Sequence, residues 1–292
     1  MNGGGGRQMS KEMHQGKDEK FIPMTSVSSG SLRKVTDEVY YFTDQIANVV
    51  LVGKSADDWV LIDTGLPERV DAIRSAIHER FGQDAKPKAI LLTHGHFDHV
   101  GGLVELLGDW KVPVYAHELE FPYLTGEQSY PEPDVTVEGG LLAKISSIYP
   151  NAPVNVKPYL KPLPADHTVP ELSGWEWLHT PGHSPGHVSF YRKDDGLLIA
   201  GDAFITVKQD SFYKVLTQKT ELNGPPRYLT TDWSAAKQSV EKLAALKPKM
   251  AVTGHGTAMK GDGFVEKFHQ FVKEFDQVAV PDYGRYAPDQ QH

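Results

Sequence analysis

The stretch Thr93-His94-Gly95-His96-Phe97-Asp98-His99 puts three imidazoles and a carboxylate within six residues, directly after the apolar run Ala89-Ile90-Leu91-Leu92. Four apolar residues without polar interruption read as a strand buried on both faces, so the cluster marks where a strand leaves the core. In an extended segment alternate side chains share a side, which lets His94, His96 and Asp98 converge. A turn at Asp98 would send His99 toward a second centre. Neutral imidazole and carboxylate oxygen suit zinc and other divalent first-row cations. Histidines that are merely solvated rarely crowd at ligand spacing.

Three segments further along the chain can supply the partners that this cluster needs. His183 lies in His179-Thr180-Pro181-Gly182-His183-Ser184-Pro185-Gly186-His187, where Gly and Pro force a tight loop after a strand. Asp202 follows the apolar run Leu197-Leu198-Ile199-Ala200 and Gly201, and His255 sits in Thr253-Gly254-His255-Gly256 behind another apolar run. Taken singly, each reads as readily as a hydrogen-bonded structural residue. Taken together they close a coordination shell. Asp63, in Leu61-Ile62-Asp63-Thr64-Gly65, is a further carboxylate at a strand end. Its burial requires compensation, from nearby imidazoles and loop amides, from capping the helix that begins near Pro67, or from both.

Composition limits what else the chain can be. It has 292 residues, 39% of them hydrophobic, which is enough for a real core. No cysteine is present, which excludes a disulfide framework, a thiolate zinc site and a catalytic thiol. A formal charge of −8 disfavours nucleic acid as a partner. No apolar run of membrane-spanning length occurs, and no secretory apolar centre is visible, so the expected location is cytoplasmic.

Residues 1–30 lack periodicity and are expected to be a flexible tail. Residues 31–276 are expected to form a single domain, followed by a C-terminal tail over 277–292. Strands are expected at Val39 to Phe42, Asn48 to Val52, Trp59 to Ile62, Ala89 to Leu92, Trp175 to Leu178, Val188 to Tyr191, Leu197 to Ala200 and Met250 to Thr253. Helices are expected over Glu68 to Phe81, Ser234 to Leu246 and Phe264 to Phe275. The Pro-, Tyr- and Gly-rich stretch 118–164, with a helix over Leu141 to Tyr149, reads as an inserted cap.

The ordered set Asp63-Thr64-Gly65, His94 to His99 with Gly101-Gly102 behind it, His183, Gly201-Asp202 and His255 resembles the metallo-β-lactamase superfamily, from Leu32 to about Phe275. The resemblance implies an α/β fold, an αββα sandwich of two mixed β-sheets flanked by helices, with metal in a groove at one edge of the sheets. It implies two divalent metal ions, zinc first, with manganese, iron or cobalt accepted by the same ligands. His94, His96 and His183 would hold one, Asp98, His99 and His255 the other, and Asp202 would bridge them. Asp63, Thr93 and His187 would orient these ligands from behind.

The activity implied is hydrolysis of an ester, lactone or thioester of a small molecule by a hydroxide shared between the metals. Asp98 would orient the nucleophile and shuttle a proton. Two alternatives in the same family are a mononuclear iron persulfide dioxygenase and an organophosphate triesterase. Departures from other family patterns narrow the choice. Antibiotic-degrading members generally carry Cys or Ser where Asp202 stands, and flavodiiron members carry Glu at the position of His96. Only 37 residues follow His255, too few for the helical region that glyoxalase II adds. Phe121, Tyr123, Tyr130, Phe204 and Tyr213 are candidates for the substrate pocket, although any one of them could equally be core. The expected partner is a small-molecule substrate with an apolar part, without nucleic acid or membrane, and a homodimer is the oligomer considered.

Overall fold

Strand Asp58–Ile62 shows how the layers arise: Trp59 and Leu61 face helices while Val60 and Ile62 face a second sheet, and all four are buried. With a side-chain period of two, a strand that is apolar at every position must be covered on both sides. The computed structural model describes residues 13–15, 29–137, 154–207 and 220–288.

The first sheet has seven strands in the order Leu32–Lys34, Val39–Asp44, Ala47–Ser55, Asp58–Ile62, Ile90–Leu91, Val114–Ala116 and Leu160–Pro162. Its pairings are antiparallel up to Asp58–Ile62 and parallel beyond. The second sheet has six strands, Thr168–Val169, Leu172–His179, Val188–Arg192, Leu197–Gly201, Met250–Thr253 and Met259–Lys260. Only Leu197–Gly201 and Met250–Thr253 pair in parallel there. Both sheets are therefore mixed.

Between them lies a core that joins Val50, Val60, Ile62 and Leu91 to Trp177, Phe190, Ile199 and Val252. The outer face of the first sheet is covered by helix Val70–Phe81, through Val70, Ile73 and Ile77, and by helix Leu103–Trp110. That spacing keeps the apolar residues on one stripe. Helix Trp233–Ala245, capped by the Asp232 carboxylate on the Ala235 N–H, and helix Asp262–Lys273 cover the second sheet. The result is the αββα sandwich. Among the described residues no helix is long and apolar enough to cross a membrane.

Three boundaries differ from expectation. His14–Gln15, inside the expected 1–30 tail, pairs antiparallel with Val154–Asn155, a run too short to show periodicity. Leu160–Pro162, expected to close the cap, is instead an edge strand of the first sheet, where a proline without an N–H is tolerated. The expected C-terminal tail is held against the domain at several points as far as Tyr286. Arg227 donates to the carbonyls of Val278 and Ala279, and the Arg285 backbone N–H donates to the Asp134 carboxylate. The helix expected over Leu141 to Tyr149 lies outside the described residues.

Candidate metal centre

Strand ends from both sheets meet at one edge of the sandwich. Strand Ile90–Leu91 delivers Thr93 and His94, and His96 precedes the helical turn Phe97–Val100. In that turn His99 and Val100 donate their N–H groups to the His96 carbonyl, and the His99 ring comes to lie 4.3 Å from that of His94, centroid to centroid. The Asp63-Thr64 strand end docks onto the turn, with Thr64 donating its N–H and hydroxyl to the His99 carbonyl at 2.7 and 3.0 Å. From the second sheet come the His183 loop, Asp202 after Leu197–Gly201, and His255 after Met250–Thr253.

All seven candidate ligands are buried and gathered. His94, His96 and His183 form one group of convergent donors, Asp98, His99 and His255 form another, and His94, His99 and Asp202 form a third that links the two. Asp202 stands between them. Its Oδ2 lies 3.4 Å from His183 Nε2, 3.6 Å from His99 Nε2 and 3.1 Å from His255 Nε2. These separations bracket the edge of a tetrahedron built on zinc–nitrogen bonds, about 3.3 Å.

Hydrogen bonds on the outer side of four of the five candidate rings fix which nitrogen faces inward. Thr93 donates its hydroxyl to Asp63 Oδ2, so it accepts from His94 Nδ1 at 3.0 Å. His99 Nδ1 donates to Asp63 Oδ2 at 2.8 Å, and His255 Nδ1 to the Ile46 carbonyl at 3.0 Å. Thr230 donates to the Pro226 carbonyl and accepts from His183 Nδ1 at 3.1 Å. Each of these four rings therefore turns Nε2 into the cluster, while His96 presents Nδ1, 2.9 Å from His183 Nε2. His187 differs, because its Nε2 accepts the Asp202 N–H at 2.8 Å while Nδ1 serves Thr180. It holds Asp202 from behind.

Four inward atoms, His94 Nε2, His99 Nε2, Asp98 Oδ1 and Asp202 Oδ1, are buried with no hydrogen-bond partner among the described residues. Orphaned buried acceptors of this kind are costly, and a cation would satisfy them. The donor set, imidazole nitrogen with carboxylate oxygen, fits a divalent first-row metal.

Charge separates the histidines into two kinds. Burial, then the neighbouring imidazoles, holds His94 well below the usual imidazole range and pushes His96 down to about 3. Burial and His96 keep His183 low as well. Burial opposes protonation of His99 and His255 too, but Asp98 and Asp202 outweigh it and both titrate above the usual range. The carboxylates that would keep a proton on these two rings would equally hold a cation between them. Asp98 itself is raised by burial, against the pull of His99 and His255.

Among the candidate pocket residues, Tyr123 and Tyr130 stack with centroids 3.8 Å apart, and the Tyr130 ring lies 4.2 Å from that of His96. With Leu229 and Tyr286 they wall a cavity of about 120 Å³ that opens on His96 and His183. Phe204 is not there. It is fully buried against Phe268 and Phe271 beneath the second sheet, because its side chain points to the helix side of the strand end. Phe121 packs half-buried against the core of the first sheet, as does Tyr159. Tyr213 lies outside the described residues.

Sequence reasoning missed several contributors. Asn48 donates through Nδ2 to the carbonyls of Thr253 and Gly256 and fastens the His255 loop to the first sheet. Thr230 orients His183, Tyr286 reaches the cavity from the C-terminal segment, and Glu120 is buried between two ligand loops. A polar residue inside an apolar strand, as Asn48 is, was a readable signal. The others carried none.

Residues 42–255 match the metallo-beta-lactamase superfamily. A Bacillus subtilis (strain 168) protein named "Probable metallo-hydrolase YflN" is 44% identical over 248 residues, 84% of this chain and 94% of its own length. Another from the same organism, "Probable metallo-hydrolase YybB", is 36% identical over 204 residues, covering 70% of this chain and 78% of its own. The crystal structure of ST1585, an archaeal metallo-beta-lactamase superfamily protein from Sulfolobus tokodaii, aligns with a TM-score of 0.54 at 20% identity. It covers 87% of this chain and 84% of that one, a likeness of fold alone. The chain belongs to the metallo-beta-lactamase superfamily.

Proposed function

We propose that this protein is a metal-dependent hydrolase with two divalent cations, zinc first among them, that cleaves an ester, lactone or thioester of a small molecule. The observation that carries the reading is the pair of donor groups His94/His96/His183 and Asp98/His99/His255, linked by the third group His94/His99/Asp202. The curated relatives named as metallo-hydrolases support the same class. When bound, such cations make water nucleophilic near neutral pH and polarise a substrate carbonyl.

The chain's own residues prepare this chemistry. Asp63, Thr93, Thr230 and the Ile46 carbonyl keep the Nδ1 protons of His94, His99, His183 and His255 on the outside, so these four rings keep that tautomer on binding, whereas His96 faces His183 Nε2 through Nδ1. Asp98 turns the unpartnered Oδ1 into the cluster, where it can orient water and take its proton. From there it can pass that proton to the leaving atom. The cavity walled by Tyr123, Tyr130, Tyr286 and Leu229 has the space of about four water molecules, which suits a small apolar or aromatic group.

The test is turnover after chelation and after reconstitution with zinc, manganese, iron or cobalt, on a panel of aryl esters, lactones, thioesters and phosphotriesters, in air and under argon. Oxygen-independent carboxylic-ester or thioester cleavage, lost on chelation and restored by metal, is expected. Metal-independent turnover would overturn the proposal, as would oxygen-consuming persulfide oxidation with one iron per chain. Preferred phosphotriester cleavage would overturn the substrate assignment.

A further inference from the structure

Glu120 is fully buried, yet it belongs to neither donor group. It closes the short helical turn Glu118–Glu120, just after the first-sheet strand Val114–Ala116. Oε2 accepts from the Gly95 N–H at 2.9 Å and from the Tyr130 hydroxyl. Oε1 accepts from the Ser184 hydroxyl at 2.9 Å and from the Gly186 N–H at 2.7 Å. Gly95 lies between His94 and His96, and Ser184 and Gly186 lie between His183 and His187. One carboxylate thus ties together the two loops that supply the first donor group.

The fit is specific to an ionised glutamate. Its two oxygens offer four acceptor positions, and four donors point at them. A glutamine would present an NH2 to two of those donors, and an aspartate falls one methylene short. The surrounding glycines are emptied for the same contact. A Cβ on Gly186 would lie 2.7 Å from Glu120 Cγ, and one on Gly95 would lie 2.9 Å from the Tyr130 hydroxyl. The glycines of His94-Gly95-His96 and Pro185-Gly186-His187 are thereby accounted for by close approach rather than by turn conformation.

What Glu120 joins is the working edge of the site. His96 Nδ1 and His183 Nε2, one from each loop, stand 2.9 Å apart. Tyr130, hung from the same carboxylate, lies over His96 and walls the cavity. We propose that Glu120 is a positioning residue that clamps the His94/His96 loop to the His183 loop, setting the donor spacing of that group, and holds Tyr130 as the wall above it. This rests on the reading of the cluster as a metal centre.

The test compares wild type with Glu120→Gln, Ser184→Ala and Tyr130→Phe. Zinc affinity is measured by competition with a chromophoric chelator, and donor geometry by the visible absorption of the cobalt-loaded protein. Glu120→Gln should weaken zinc binding about 10- to 100-fold, the usual effect of losing a group that orients ligands, and alter the cobalt spectrum. Ser184→Ala, which removes one donor, should shift both in the same direction by less, and it decides the matter should Glu120→Gln fail to fold. Tyr130→Phe keeps the clamp on both loops, so it should spare zinc affinity and raise KM with little change in kcat. Wild-type affinity and spectrum in Ser184→Ala and in any folded Glu120→Gln would overturn the proposal while leaving the metal centre intact. A wild-type protein that binds no divalent metal would overturn both.

Discussion

Asp63 Oδ2 accepts the Nδ1 proton of His99 at 2.8 Å while Asp63 Oδ1 accepts the Thr93 N–H at 2.8 Å, so one carboxylate holds His99 directly and the segment that carries His94 through Thr93. Asp63 adopts a left-handed conformation with φ 60°, which costs about 1–2 kcal/mol for an L-residue. The site holds this strained residue in place because three donors, counting the Thr93 hydroxyl, converge on it.

Asp63→Asn should therefore leave one buried donor facing an NH2. Metal affinity is expected to fall about 10- to 100-fold, and stability by about 1–3 kcal/mol. Metal titration and urea unfolding of the metal-free protein measure the two effects separately. Unchanged affinity would mean that His99 needs no bracing.

Phe204 belongs to the core, packed on Phe268 at a centroid distance of 4.7 Å. Phe204→Ala should lower stability by about 3–5 kcal/mol, as large-to-small core changes do. A loss well under 1 kcal/mol in urea unfolding would return Phe204 to the groove.

Tyr286 reaches the cavity because Asp134 and the Glu132 carbonyl hold Arg285 beside it. Tyr286→Ala should lower kcat/KM for aromatic substrates about tenfold relative to acetyl ones, the scale of one lost aromatic contact. Metal content should stay unchanged. An unaltered aromatic-to-acetyl ratio would show that the C-terminal segment does not read substrate.

His117 stacks on His179 with ring centroids 4.2 Å apart, and burial followed by the His179 charge lowers its pKa to about 4. An unfolded histidine titrates near 6.5. Between these values the unfolded chain binds more protons, so stability contributed by neutral His117 is present above about pH 6.5 and is lost as pH falls toward 4. His117→Phe should flatten this part of the profile when urea midpoints at pH 7 and pH 5 are compared. An identical slope in wild type and variant would contradict the assignment.

The layers were legible because strands such as Trp59 to Ile62 are apolar at every position, and because Val70, Ile73 and Ile77 keep helical spacing. The seven gathered donors were legible because they follow apolar runs at strand ends. Short edge elements were not. Two residues at His14–Gln15 cannot display a period, and Leu160–Pro162 is recognisable as a strand only beside Val114–Ala116. The placement of Phe204 was not legible, because sequence gives no direction for a side chain two residues beyond Asp202. Glu120 was invisible for another reason, since its four donors come from segments 10 to 66 residues away.

The central claim is that strand ends from both sheets gather donors for two cations, and metal content tests it most directly. Wild type and Asp202→Ala, each stripped by chelator, reloaded and freed of excess ion, should be compared by elemental analysis. About two ions per chain are expected in the wild type and a clear loss in Asp202→Ala, because that carboxylate serves both groups. No stoichiometric metal in the wild type, or full occupancy in Asp202→Ala, would contradict it.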